Sequence, residues 1–91
     1  MKMIERRIFR LQDKIERLRE EATLVAAELD RHRLIDEDAQ RDAAFGNYID
    51  AEEAQLTSAD VQRFDRSLRT INDRITRLDQ QRSKLIERLD P

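Results

Sequence analysis

His32 is the only histidine of the chain, and Glu28 lies one helical turn before it. An imidazole and a carboxylate at this spacing are the raw material of a metal site. No Glu-x-x-His pair of the di-iron bundle type accompanies them. His32 also falls on the extension of an apolar seam, where packing explains it. The expectation is therefore no metal and no cofactor. Thr57 and Ser58 are adjacent hydroxyls, but the sole histidine is distant and the single glycine, Gly46, cannot build an oxyanion or phosphate loop. They read better as helix caps. Without cysteine, thiol chemistry and disulfides are excluded. No catalytic residue emerges, and the chain is not expected to be an enzyme.

Charge offers more than nucleophiles do. Asp36, Glu37, Asp38, Asp42, Asp50, Glu52 and Glu53 face Arg41 alone between residues 36 and 53, a balance of −6 in a chain whose net charge is −2. Such an acidic tip could hold Mg²⁺, enter a basic channel or dock on a basic partner. A solvated helical surface is the plainer explanation. Arg6, Arg10 and Arg17 lie along one surface of the first half, and Arg63, Arg66, Arg69, Arg74 and Arg77 populate the second. Arginine stripes contact phosphates. Interleaved acids (Glu16, Glu20, Asp65, Asp73) and the scarcity of stacking aromatics weigh against that use, so nucleic-acid binding is the alternative rather than the favoured function.

The elements that must carry these groups are helices. The 91 residues include one glycine and one proline, Pro91, too few for a turn-rich fold. A charged fraction of 42 % would suit disorder, but the apolar residues are too regularly spaced for that. Ile4, Ile8, Leu11, Ile15, Leu18, Ala22, Val25 and Leu29 alternate at steps of four and three, a heptad seam. A second seam runs Val61, Phe64, Leu68, Ile71, Ile75, Leu78, Arg82, Leu85 and Leu89, broken only by Arg82, which can lay its methylenes on the core and send its head to water.

The seams match antiparallel when Ile4 faces Leu89. Leu11 then meets Arg82, His32 meets Val61, and the midpoint falls at Gly46-Asn47. Glycine suits a left-handed helix end there and Asn47 an N-cap, with Asp50 three residues on. The expected fold is all-α: a long antiparallel helical hairpin in one domain over residues 1–91. Its helices run from about residue 3 to 44 and 48 to 90, with the turn at 45–47 and Asp90-Pro91 as the stop. Thr57-Ser58 also reads as a helix start, and Leu34, Ile35, Phe45, Ile49 and Leu56 are out of phase with the seams. A kink or break near residues 57–58 is expected, and a three-helix layout with a middle helix from about Asp36 to Gln55 is the second choice.

One narrow seam is a small core, and oligomerisation is a common remedy. Two hairpins packed into a four-helix bundle would cover more of each helix, so a homodimer is expected. The candidate partner surface is Leu34, Ile35, Phe45, Tyr48, Ile49 and Leu56; Phe9, Leu24 and Ile86 also lie off the seam. Tyr48 reads as a partner anchor or as a cap on the bundle end. The start Met1-Lys2-Met3-Ile4-Glu5-Arg6-Arg7 leads into no apolar run, so neither a signal peptide nor a membrane span is expected and the cytoplasm is the default location.

Asn47-Tyr48 followed by Ala51-Glu52-Glu53 at an acidic hairpin tip is similar in outline to the coiled-coil hairpins of transcript-cleavage factors that reach into RNA polymerase. Those factors carry a second, globular domain that these residues do not supply. The resemblance covers the tip alone and implies a polymerase-associated factor. The favoured function is a self-associating protein-interaction module, a scaffold, adaptor or regulator for a protein partner. A nucleic-acid- or polymerase-associated factor is the alternative.

Overall fold

A computed structural model of the chain describes residues 2–46 and 48–89. Every described residue except Gly46 is helical, and the fold is an all-α hairpin of two long helices. Helix α1 spans Lys2–Phe45 and helix α2 spans Tyr48–Leu89. Their interiors are rich in Leu, Arg, Glu, Gln and Ala, hold no Gly or Pro, and so carry little propensity cost. Thr23 and Thr76 turn their hydroxyls back onto the Arg19 and Asn72 carbonyls at 3.0 and 3.1 Å, one turn earlier, which accommodates a β-branched residue inside a helix. Neither described helix is long and apolar enough to cross a membrane.

The helices contribute to two compact units. The terminal unit combines residues 1–23 with 69–91, and the tip unit is the continuous stretch 24–68. In the terminal unit the seam is the core. Ile8, Ile15, Leu18, Ile71 and Leu85 are buried, Ile15 to 1 % exposure, with Ile4, Leu11, Ala22, Ile75 and Leu78 half-buried beside them. Each such Leu or Ile is worth roughly 1.5–3 kcal/mol when fully withdrawn from water. Leu89 closes the seam at 38 % exposure. Arg82 is half-buried, and its head turns onto the partly exposed Asp79, one turn earlier, while its Nε has no hydrogen-bond partner among the described residues.

The tip unit corrects the sequence reading. Helix α2 runs unbroken through Thr57 and Ser58, so the described residues contain no helix break there and no third helix. The seam keeps its register but changes its chemistry. His32, Asp36, Ala39 and Ala43 continue the four-three alternation on α1, and Asp50, Ala54, Thr57 and Val61 do so on α2; all are buried or half-buried. Small and polar residues at these positions hide the heptad from a hydropathy pattern. Asp36 and Thr57 are opposite each other in the register that pairs Ile4 with Leu89, and they meet: Thr57 Oγ1 lies 2.8 Å from Asp36 Oδ1 and 3.1 Å from the Ala54 carbonyl. One hydroxyl proton serves one acceptor at a time, and the carboxylate is the stronger. Gln40 Nε2 completes the clasp, donating to Asp36 Oδ1 at 3.1 Å and to the Ala54 carbonyl at 3.0 Å. The Thr57 hydroxyl assigned to a helix cap thus ties the two helices together.

Gly46 sits at the expected turn for a different reason. No described residue, glycine included, has a positive φ, so Gly46 does not form the expected left-handed helix end. Instead a Cβ at Gly46 would press on the Asp50 carboxylate and come within 2.6 Å of the Asp42 carbonyl oxygen. Close approach, not backbone handedness, requires glycine. Gly46→Ala is expected to cost about 1–3 kcal/mol through this overlap. The melting temperature should fall by roughly 4–8 °C per kcal/mol in a chain of this size. A melt superimposable on wild type would disprove the close approach. The Asn47 cap and the Asp90-Pro91 stop lie outside the described residues. Asp50 stands in the first turn of α2, where a carboxylate complements the helix dipole.

Candidate functional site

The candidate partner residues all belong to the tip unit, and all are exposed. Phe45 is 91 % exposed, Tyr48 80 %, and Leu34, Ile49 and Leu56 are each close to two-thirds; Ile35 is the least open. They sit between seam positions, so the residues that made the sequence seem out of phase are those the hairpin does not pack inward. Inside the same unit only Leu29 and Ala54 are buried apolar residues. Val25, Val61, Phe64 and Leu68 are half-buried.

The acidic residues divide by role. Asp36 is the acceptor of the clasp and Asp50 is half-buried, so neither is simply solvated. Asp38 pairs with Arg41 at 3.3 Å. Glu37, Asp42, Glu52 and Glu53 are exposed, with no ion pair among the described residues.

His32 and Glu28 make no ligand set. The imidazole stacks on Phe64 with ring centroids 4.5 Å apart and planes at 22°, and its Nε2 is 3.9 Å from Glu28 Oε2. Glu28 is engaged by Arg31 at 2.8 Å, and that hydrogen bond, with the charge of Arg31 behind it, holds its carboxyl below the usual carboxylate range. Among the described residues no three His, Cys, Asp or Glu side chains converge on one point.

The arginines of the sequence stripe part company. In the tip unit Arg63 pairs with Asp60 at 3.3 Å and lies 5.4 Å from the centre of the Phe64 ring. Arg33 is shared between Asp30 at 3.6 Å and Asp65 at 3.9 Å. Arg66 and Arg69 also have partners, and Arg6 lines neither of the two cavities described next. Arg10, Arg17, Arg74 and Arg77 are brought together in the terminal unit, along a groove where α1 and α2 meet. It comprises two cavities of about 330 and 500 Å³ that share Lys14 and Gln81.

Helix α1 supplies Arg7, Arg10, Lys14 and Arg17 to this groove; α2 supplies Arg74, Arg77, Lys84 and Arg88. Its floor is the seam leucines Leu11, Leu18, Leu78 and Leu85, and no carboxylate lines it among the described residues. Sequence reasoning missed Arg7, Lys14, Lys84 and Arg88. The available signal was positional: each cation immediately precedes a seam residue, as Arg7 precedes Ile8 and Arg88 precedes Leu89. Positions beside a heptad seam line the flank of a helix pair.

The two units differ in charge accordingly. Residues 1–23 and 69–91 contain 13 Lys and Arg against 9 Asp and Glu, a net +4; residues 24–68 contain 5 against 11, a net −6. Comparison with protein families, curated proteins and solved structures finds no match to this chain.

Proposed function

We propose that the chain is a cytoplasmic protein-interaction module that works by binding rather than catalysis. It joins a second copy of itself, as a homodimer of hairpins in a four-helix bundle, and through that assembly scaffolds or regulates a protein partner. One observation carries this reading. The tip unit buries two apolar residues, Leu29 and Ala54, and leaves its larger ones, Phe45 and Leu56 foremost, in water. A clasp of Asp36, Gln40 and Thr57 holds its helices together where an apolar core is thin. Apolar surface of that kind is a place for association. The favourable energy there comes from covering side chains that folding leaves exposed.

Hydrogen exchange at about 1 µM and about 100 µM protein, with the solution mass followed alongside, tests this reading through the concentration dependence of assembly. Amides between residues 34 and 56 are expected to gain protection at the higher concentration, while those between 8 and 18 do not change. Equal exchange throughout, with the mass of one chain at both concentrations, would refute self-association by this surface.

A further inference from the structure

We propose that the basic groove of the terminal unit binds the phosphodiester backbone of nucleic acid. This goes beyond the protein-interaction reading and stands on a different unit of the molecule. The first support is the state of the cations. In the tip unit Arg31, Arg33, Arg41 and Arg63 are each neutralised by a neighbouring carboxylate. In the groove no Lys or Arg has an ion pair among the described residues, although Glu16, Glu20 and Asp73 are close in sequence. Like charges gathered on one surface without counter-charges raise its potential and hold diffusible anions there.

Geometry is the second support. The cations form two rows, one on each helix. Ten residues separate Arg7 from Arg17, about 15 Å of helix, and fourteen separate Arg74 from Arg88, about 21 Å. One strand of a duplex places a phosphate about every 3.4 Å along the axis, so the shorter row faces roughly four or five phosphates. Six of the eight side chains are arginines, whose forked guanidinium matches two phosphate oxygens.

The floor decides between a nucleic acid and an acidic protein helix. Leu18 and Leu85 are buried in the seam, and Leu11 and Leu78 are half-buried. The groove therefore offers few open apolar sockets for the ridge of a third helix, while its rims offer guanidinium and ammonium groups. Among the described residues it contains no aromatic side chain on which bases would stack. Recognition by backbone charge alone is independent of base sequence.

Fluorescence anisotropy with a labelled mixed-sequence duplex DNA, and separately with a single-stranded RNA, tests this. Binding is expected to weaken linearly on a log–log plot against salt, with a slope of about −4 for the duplex when four to five phosphates are neutralised, and a shallower one for the single strand. Lys14→Gln with Arg77→Gln should reduce the duplex slope by about 2 and weaken binding about thirtyfold at 0.15 M salt, the loss that two ionic contacts imply. Both side chains lie on the surface, and an unchanged far-ultraviolet spectrum will show that the fold is retained. Arg31→Gln with Arg41→Gln, in the tip unit, should bind as wild type. Failure of both probes to bind at low salt would overturn the proposal. So would wild-type affinity in the groove variant. Loss of self-association in that variant with nucleic-acid binding intact would also overturn it, by giving the groove to the acidic surface of a second copy.

Discussion

Ile15→Asp is expected to abolish the folded hairpin at 25 °C. Ile15 is 1 % exposed and is the most completely buried large side chain of the described residues. It lies at the middle of the terminal unit's α1 seam, opposite Leu78 in the register that pairs Ile4 with Leu89. Truncating such a residue to alanine already costs about 2–5 kcal/mol. An aspartate adds the cost of a charge in an apolar seam, several kcal/mol more, and the nearest seam cation, Arg82, is already turned onto Asp79. Small domains have about 5–15 kcal/mol in total, and this one has a narrow core. Loss of the helical circular-dichroism signal, with no cooperative melt, is the expected readout. Glu16→Ala, at the exposed neighbouring position, should shift stability by no more than about 0.5 kcal/mol. A cooperative melt of Ile15→Asp close to wild type would mean that the seam does not pack as described.

The second large effect belongs to assembly. Phe45→Ser combined with Leu56→Ser should leave the hairpin helical but separate the copies. Both side chains are exposed in the single chain, so removing them takes little from its own packing. At an interface each would contribute roughly 1.5–3 kcal/mol by leaving water. In a homodimer both copies lose both side chains, about 6–12 kcal/mol in all, or a dissociation constant weaker by at least about ten-thousandfold. Sedimentation of the double variant should show one chain at concentrations where wild type forms two. An unchanged dissociation constant would remove Phe45 and Leu56 from the contact.

The seams from Ile4 to Leu29 and from Phe64 to Leu85 were legible because every four-three step except Arg82 is filled by an apolar side chain that folding withdraws from water. Matching them placed the turn at Gly46 without knowledge of the fold. The same logic failed beyond Leu29. There the inward positions pass to His32, Asp36 and Ala39, and hydropathy cannot distinguish an inward Asp36 that accepts from Thr57 from an outward Glu37 in water. Only a pairwise hydrogen bond across the two helices separates them, and register, not polarity, would have found it.

Thr57 was misread for a related reason: threonine before an acidic turn favours a cap locally, while its partner lies on the other helix. The basic groove was half visible. Arg10, Arg17, Arg74 and Arg77 drew notice as arginines, but a surface sweep without reference to the seam included Arg6 and passed over Lys14 and Lys84. Each of the eight groove cations immediately precedes an apolar seam residue of the terminal unit, which Arg6 does not.

The central claim is that the tip unit's exposed apolar side chains join two copies of the chain. Sedimentation equilibrium of the wild-type protein from about 1 to 100 µM tests it most directly, since an assembling chain changes mass with concentration. The expected result is the mass of two chains, falling towards one only on dilution. The mass of one chain across the whole range would contradict it.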